Sequence, residues 1–172
     1  MKLMIASDIH GSAYYCRRLL EAFEREGVEQ LLLLGDILYH GPRNALPRDY
    51  APPAVAEMLN AMRDKITCVR GNCEAEVDQM VLSFPAMADY CLLEVNGLTL
   101  FATHGHLYNE EKLPPLPEGA VLLNGHTHVP KHNVHEHYTF INPGSVSIPK
   151  ENSAHSCILL ENQQFRFLSL DE

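Results

Sequence analysis

The sequence predicts one mixed α/β domain, with helices alternating with parallel strands in its first half and hairpin strands in its second. Three observations predict it. Short apolar runs at residues 3–7 and 31–34 have the character of strands covered on both faces of a parallel sheet, and residues 66–70 read as a further strand. Between the first two, Cys16, Leu19, Leu20 and Phe23 fall at i, i+3, i+4 and i+7, the stripe of an amphipathic helix. Further on, residues 91–95 and 98–103 flank Asn96-Gly97, the pair that most strongly favours a two-residue hairpin turn.

In chain order, residues 2–7 form the first strand and Asp8-Ile9-His10-Gly11 its loop. Ser12 caps the helix that follows and Gly27 stops it. The strand at 30–34 completes a β-α-β unit. Such a unit has parallel strands and a right-handed crossover, so the loops after Ser7 and Leu34 open at one edge, where Asp8, His10 and Asp36 meet. Residues 37–49 lose periodicity and gain Gly41, Pro42 and Pro47, which describes a surface loop beside that edge. Its Tyr39, His40, Arg43 and Asn44 have two readings, a lid that touches substrate or a solvated loop. Pro52 and Pro53 open a second helix striped by Val55, Met58, Leu59 and Met62. The strand at 66–70 delivers Gly71-Asn72-Cys73 to the shared edge, and residues 74–87 read as helix and loop. The strand at 120–123 ends in Asn124-Gly125-His126-Thr127-His128. Residues 138–141 precede Asn142-Pro143-Gly144-Ser145, and a last hairpin joins 156–161 to 165–170 around Asn162-Gln163. The whole second half reads as an antiparallel meander.

Composition narrows the function classes. The 172 residues, 46% hydrophobic, suit a single domain spanning residues 1–172. A net charge of -9, with no basic run, argues against long nucleic acid and against an anionic membrane surface as partners. The apolar runs are too short for a transmembrane helix and the N-terminus enters a strand without a signal-peptide pattern, so the cytoplasm is expected. Five cysteines without a C-x-x-C pair fit neither a disulfide framework nor a thiolate zinc cage.

The polar residues at the strand ends carry the chemistry. Two histidines one residue apart point the same way on extended backbone, and His126 and His128 are joined at this edge by Asp8, His10, Asp36, Asn72 and His104. Seven carboxylate, amide and imidazole donors exceed the needs of one ion. They fit two divalent ions that share one carboxylate, Asp36, and leave positions for water. A site of this kind clamps the entering and leaving oxygens of a phosphoester.

The ordered blocks Asp8-x-His10, Gly35-Asp36, Gly71-Asn72, His104 and Gly125-His126-x-His128 resemble the signature of the calcineurin-like metallophosphoesterases. Within that family, the Gly41-Pro42-Arg43-Asn44 loop and the 142–146 stretch are similar to those of small bacterial phosphodiesterases. The resemblance implies an α/β fold built as a four-layer α-β-β-α sandwich with two mixed β-sheets, and hydrolysis of small phosphodiesters. It implies two divalent ions, Mn2+ first with Zn2+, Fe2+ or Ni2+ possible, and a homo-oligomer, dimer or tetramer. It places Asp8, His10, Asp36 and His128 on one ion and Asp36, Asn72, His104 and His126 on the other. Asn72, Cys73 and His104 become the expected catalytic residues. The position of their loop makes Arg43 and Asn44 candidate substrate contacts, and His106 is either a contact to substrate or to a ligand, or a plain polar neighbour. Cys73 stands where the wider family has a histidine credited with protonating the leaving group, which puts the general acid in question. The same fold also serves as a metal-free scaffold in the retromer subunit, so a protein-interaction module is the competing reading. A site with a single ion, or a purely structural one, would not need both Asn72 and His104.

Overall fold

A computed structural model describes residues 1–171 as two five-stranded sheets packed face to face. The first contains β1 (Leu3–Ala6), β2 (Gln30–Leu33), β3 (Ile66–Cys68), β9 (Ser156–Glu161) and β10 (Gln164–Ser169). Its order is β10-β9-β1-β2-β3, with β1, β2 and β3 parallel and the C-terminal hairpin antiparallel beside β1. Helices α1 (Ala13–Arg25), α2 (Pro52–Asn60) and the short α3 (Glu76–Val81) accompany this sheet. The Ser12 hydroxyl accepts from Tyr15 N–H and so caps α1 as its sequence position requires.

Alternation along the strands explains the unbroken apolar runs. Met4 and Ala6 face the cluster that includes Leu19 and Phe23 of α1 and Val55 and Leu59 of α2. Leu3 and Ile5 face the second sheet, packing with Leu100, Val121, Leu123 and Ile141. Both sides of β1 are therefore dry, and every one of its side chains must be apolar.

The second sheet runs β4 (Tyr90–Val95), β5 (Leu98–Thr103), β6 (Ala120–Leu123), β8 (Tyr138–Asn142) and β7 (Lys131–Val134). The Asn96-Gly97 hairpin forms as expected, with both residues at positive φ, 53° and 80°. The meander expected for the second half does not: β5, β6 and β8 are parallel neighbours. The crossovers are an irregular segment at 104–119 and the short edge strand β7. Neither has helical periodicity, so sequence pattern gave no sign of a parallel connection. The segment 104–119 forms the outer layer of this sheet, where its Tyr108 and Leu116 pack on Phe101, Leu122 and Phe140. Parallel pairing has a consequence for the site, because it brings the ends of β5 and β6, and hence His104 and His126, to the same edge. Among the described residues no helix is long and apolar enough to cross a membrane.

Candidate metal centre

The two sheets bring their strand ends together, and backbone hydrogen bonds fasten the loops. Asp8 N–H donates to Gly35 C=O, His10 N–H to Asp36 C=O and Gly11 N–H to Ile37 C=O, so the loops after β1 and β2 run side by side. From the second sheet, His126 N–H donates to Asp8 Oδ2 at 3.0 Å. The 142–147 stretch supports the same loop from behind, with Ser145 and Ser147 hydroxyls donating to Asp8 C=O at 2.8 and 3.2 Å. Close approach explains two glycines. A Cβ at Gly71 would lie 2.0 Å from Asp36 Oδ1, and one at Gly125 would lie 1.9 Å from Ser7 Oγ.

Asp8, His10, Asp36, His126 and His128 all have positive φ, between 48° and 66°. Left-handed backbone in a non-glycine residue costs about 1–2 kcal/mol, so five such residues in one cluster are held there by their surroundings.

The imidazoles are fixed by their tautomers. Nδ1 of His10 contacts Tyr39 C=O at 2.7 Å, Nδ1 of His104 contacts Leu34 C=O at 2.6 Å, and Nδ1 of His128 contacts Ile148 C=O at 2.6 Å. A carbonyl only accepts, so each Nδ1 carries a proton and Nε2 is the nitrogen turned inward, its lone pair available to an ion whenever the ring is neutral. Those lone pairs converge. His10 Nε2 and His128 Nε2 lie 3.2 Å apart, and both approach Asp8 Oδ1, at 3.4 and 3.2 Å. Asp8 Oδ1 is itself fully buried without a hydrogen-bond donor. On the other side, His104 Nε2 lies 3.0 Å from Asn72 Oδ1 and 3.3 Å from Asp36 Oδ2. Asp36 Oδ2 also lies 3.8 Å from His10 Nε2, so one carboxylate reaches both halves. A pocket of facing lone pairs and carboxylates is repulsive until cations or protons enter it, and the spacing is that of donor atoms around a common ion. Three groups of donors, Asp8-His10-His128, His10-Asp36-Cys73 and Asp36-His104-His126, are close enough to hold a metal.

The titration behaviour has the same cause. Burial opposes ionisation of Asp8, but His104, His10 and His128 outweigh it and hold the carboxyl well below the usual carboxylate range. Burial likewise disfavours the His104 imidazolium, yet Asp8 and Asp36 raise it to about 9. An unfolded imidazole titrates near 6.5, so this charge stabilises the metal-free fold fully below about 6.5, and the contribution is lost as pH rises through about 9. Thermal melts of metal-free protein are therefore expected to lose a few kcal/mol across that window. Metal-loaded protein, whose lone pairs are committed, should be flat there; parallel profiles for the two forms would contradict the assignment.

The remaining expected residues fall on different sides. Cys73 lies in the metal pocket, where burial and the Asp36 carboxylate push its thiol up to about 12, so it keeps its proton at neutral pH. Arg43 and Asn44 line the same cavity of about 470 Å3 together with Tyr39, but the Asn44 amide already donates to His40 C=O. His106 lines a neighbouring cavity of about 550 Å3 beyond His126. Burial and the charges of His104 and Arg70 depress it to about 4, so its ring is neutral. His132, His135 and His137 are exposed, and His155 pairs with Asp171.

Two residues escaped sequence reasoning. Glu74, 8% exposed, accepts from Asp36 N–H at 2.9 Å, from Ile37 N–H at 2.7 Å and from Gly71 N–H, holding the β2 and β3 loops together. Its only sequence signal was a carboxylate directly after Gly71-Asn72-Cys73. Lys150 also lines the metal pocket, from a Pro-Lys-Glu-Asn segment indistinguishable by sequence from a solvated turn.

Residues 1–164 match the model of the calcineurin-like phosphoesterase superfamily domain. Phosphodiesterase YfcE of Escherichia coli strain K12 is 48% identical over 172 residues, covering 100% of this chain and 94% of that protein. A solved structure of Yfce, described as a phosphoesterase from E. coli, superposes with a TM-score of 0.92 at 45% identity, covering 99% of this chain and 100% of that one. More distant chains share the fold alone, among them an archaeal phosphodiesterase (21% identity, TM-score 0.69, covering 98% of this chain and 99% of that one). A single mutant of Vps29 from Entamoeba histolytica is another (17% identity, TM-score 0.64, covering 94% and 86%). With a family model spanning nearly all of its length and a full-length relative at this identity, the chain belongs to the calcineurin-like phosphoesterase superfamily.

Proposed function

We propose that the protein is a metal-dependent phosphodiesterase acting on small phosphodiesters. The observation that carries this is the convergence of three tautomer-locked imidazoles on the unpartnered Oδ1 of Asp8 and the shared Oδ2 of Asp36. The name of the 48%-identical relative, a phosphodiesterase, supports the same reading. Asp8, His10, Asp36 and His128 would hold one ion, and Asp36, Asn72, His104 and His126 the other. Two divalent ions so held would polarise the scissile phosphate and bring the pKa of a bound water to about neutral. The nitrogen and oxygen donors suit Mn2+, with Zn2+, Fe2+ or Ni2+ as alternatives.

The protein's own groups set the rest of the chemistry. Asp8 and Asp36 offset only half of the charge of two divalent ions, which leaves a small cationic focus in an acidic molecule. That favours compact diesters over long nucleic acid. Asn72 and His104 orient the reacting phosphate from the second half of the site. Cys73 retains its proton but is a weak donor, so aryl diesters should be cleaved more readily than alkyl ones. Cys73→His is expected to raise alkyl turnover more than aryl turnover, flattening the dependence on leaving-group pKa; equal factors for both would remove any acid role from position 73. A cytoplasmic homo-oligomer, dimer or tetramer, belongs to the same reading. A metal-free scaffold is the weaker one, because it leaves buried Asp8 Oδ1 without a hydrogen-bond partner.

Chelation tests the reading directly. Exhaustive dialysis against a chelator is expected to abolish hydrolysis of bis(p-nitrophenyl) phosphate. Loss of ligands that bind only the native state, at about 100 times Kd, removes roughly 2.7 kcal/mol and lowers the melting temperature by roughly 5–10 °C. Mn2+ should restore both. Undiminished turnover in protein shown metal-free by elemental analysis would sink the proposal.

A further inference from the structure

The protein has thirteen Lys and Arg residues against twenty-two carboxylates, so a cation without a partner is unexpected. Among the described residues, eight of the thirteen lie within ion-pair distance of a carboxylate. Three more, Arg48, Lys65 and Lys112, lie over aromatic rings. The two that remain are Arg43 and Lys150, and both line the cavity that holds the donor cluster.

The backbone holds Lys150 in this position at a cost. Glu151 and Asn152 both adopt left-handed φ, 55° and 58°, in a tight turn closed by Ser153 N–H donating to Lys150 C=O. Neither residue is glycine. The turn is fastened to the candidate ligand His128 twice, by His128 Nδ1–H to Ile148 C=O at 2.6 Å and by Lys150 N–H to His128 C=O at 3.1 Å. Arg43 approaches from the 37–49 loop, anchored in turn by His10 Nδ1–H to Tyr39 C=O. Each cation is thus carried on a segment hydrogen-bonded to a donor of the metal site. Tyr39, 42% exposed, supplies an aromatic wall in the same cavity.

Resting on the phosphodiesterase reading, we propose that Arg43 and Lys150 form a second anion subsite. It selects diesters in which one arm carries a further phosphoryl group. The scissile diester, with a single negative charge, belongs at the ions. A terminal phosphomonoester carries about -1.5 to -2 at neutral pH, which matches one guanidinium and one ammonium. The guanidinium fork suits two phosphoryl oxygens and the ammonium acts as a point charge. Tyr39 would lie against the sugar, ring or chain that joins the two phosphates.

A matched pair of substrates tests this. Thymidine 5′-(p-nitrophenyl phosphate) and its 3′-phosphorylated form differ only in the terminal phosphate and release the same chromophore. With Mn2+-loaded protein at low ionic strength, kcat/KM is expected to be about tenfold higher for the phosphorylated ester, a preference that falls with added salt. Arg43→Ala/Lys150→Ala should bring the ratio to about one whichever way absolute rates move, and Lys150→Arg should keep it. Calorimetric binding of thymidine 3′,5′-bisphosphate against thymidine 5′-monophosphate gives the same comparison without turnover. A ratio of one or less in the unsubstituted protein, or a ratio retained by the double variant, overturns the subsite. Absence of hydrolysis of either ester and of bis(p-nitrophenyl) phosphate would instead count against the phosphodiesterase reading, and the calorimetric ratio would still decide on the subsite.

Discussion

Asp36→Asn is expected to remove bound metal and lower kcat/KM by on the order of 10³-fold or more. The change is nearly isosteric, and an amide oxygen at this position can still accept from Cys73 N–H, which reaches Asp36 Oδ1 at 2.9 Å. What disappears is the negative charge shared by the two halves of the site through Oδ2, 3.8 Å from His10 Nε2 and 3.3 Å from His104 Nε2. Stabilisation of developing charge by a metal is worth several kcal/mol, and about 4 kcal/mol corresponds to 10³ in rate. His128→Ala and Asn72→Ala each touch one half only and should be milder, each lowering the affinity of one ion. Elemental analysis beside steady-state kinetics checks this ordering. An Asp36→Asn protein that keeps two metals, with losses no greater than those of the two alanine variants, would show that another group links the halves.

Legibility of this molecule from its sequence follows from how local each signal is. The first half was readable because a β-α-β unit fixes strand direction by itself: apolar strand, striped helix and apolar strand place Asp8, His10 and Asp36 together with no long-range information. The candidate donors Asn72, His104, His126 and His128 could be singled out because each lies in the loop that follows an apolar strand. The second sheet was not, since the 104–119 crossover has no periodicity and β7, with sequence Lys-His-Asn-Val, has no apolar face to reveal it. Glu74 and Lys150 were hidden for a different reason. Their roles come from partners far away in sequence, the Asp36 loop for the first and the His128 loop for the second, and a lone charged residue in a polar stretch looks the same whether it faces water or a cavity.

Glu74→Gln is the second change expected to have a large effect, although its side chain is in none of the proposed donor sets. Both Glu74 oxygens are occupied by backbone donors: Asp36 and Gly71 N–H on Oε2, Ile37 N–H on Oε1. Burial and the nearby Asp36 charge raise its carboxyl above the ordinary glutamate value, while the three N–H groups pull the other way. Glutamine removes the charge that strengthens all three bonds and replaces one acceptor with an NH2 donor, so at least one buried N–H faces another donor. Hydrogen bonds to a charged group contribute about 1.5–3 kcal/mol each, and an orphaned buried donor costs about 1–3 kcal/mol, so a loss of about 2–4 kcal/mol is expected. For a chain of this size that lowers the melting temperature by roughly 5–15 °C. The same clamp keeps Asp36 in its left-handed conformation at φ 55°, so metal affinity should fall with it, by roughly 10–100-fold. Thermal melts with and without Mn2+ separate the two effects: a general packing defect lowers both curves equally, whereas loss of the clamp also shrinks the metal-induced rise. A Glu74→Gln protein that melts with the unsubstituted protein and takes up metal at the same concentrations would show that the Asp36 loop holds its shape without Glu74.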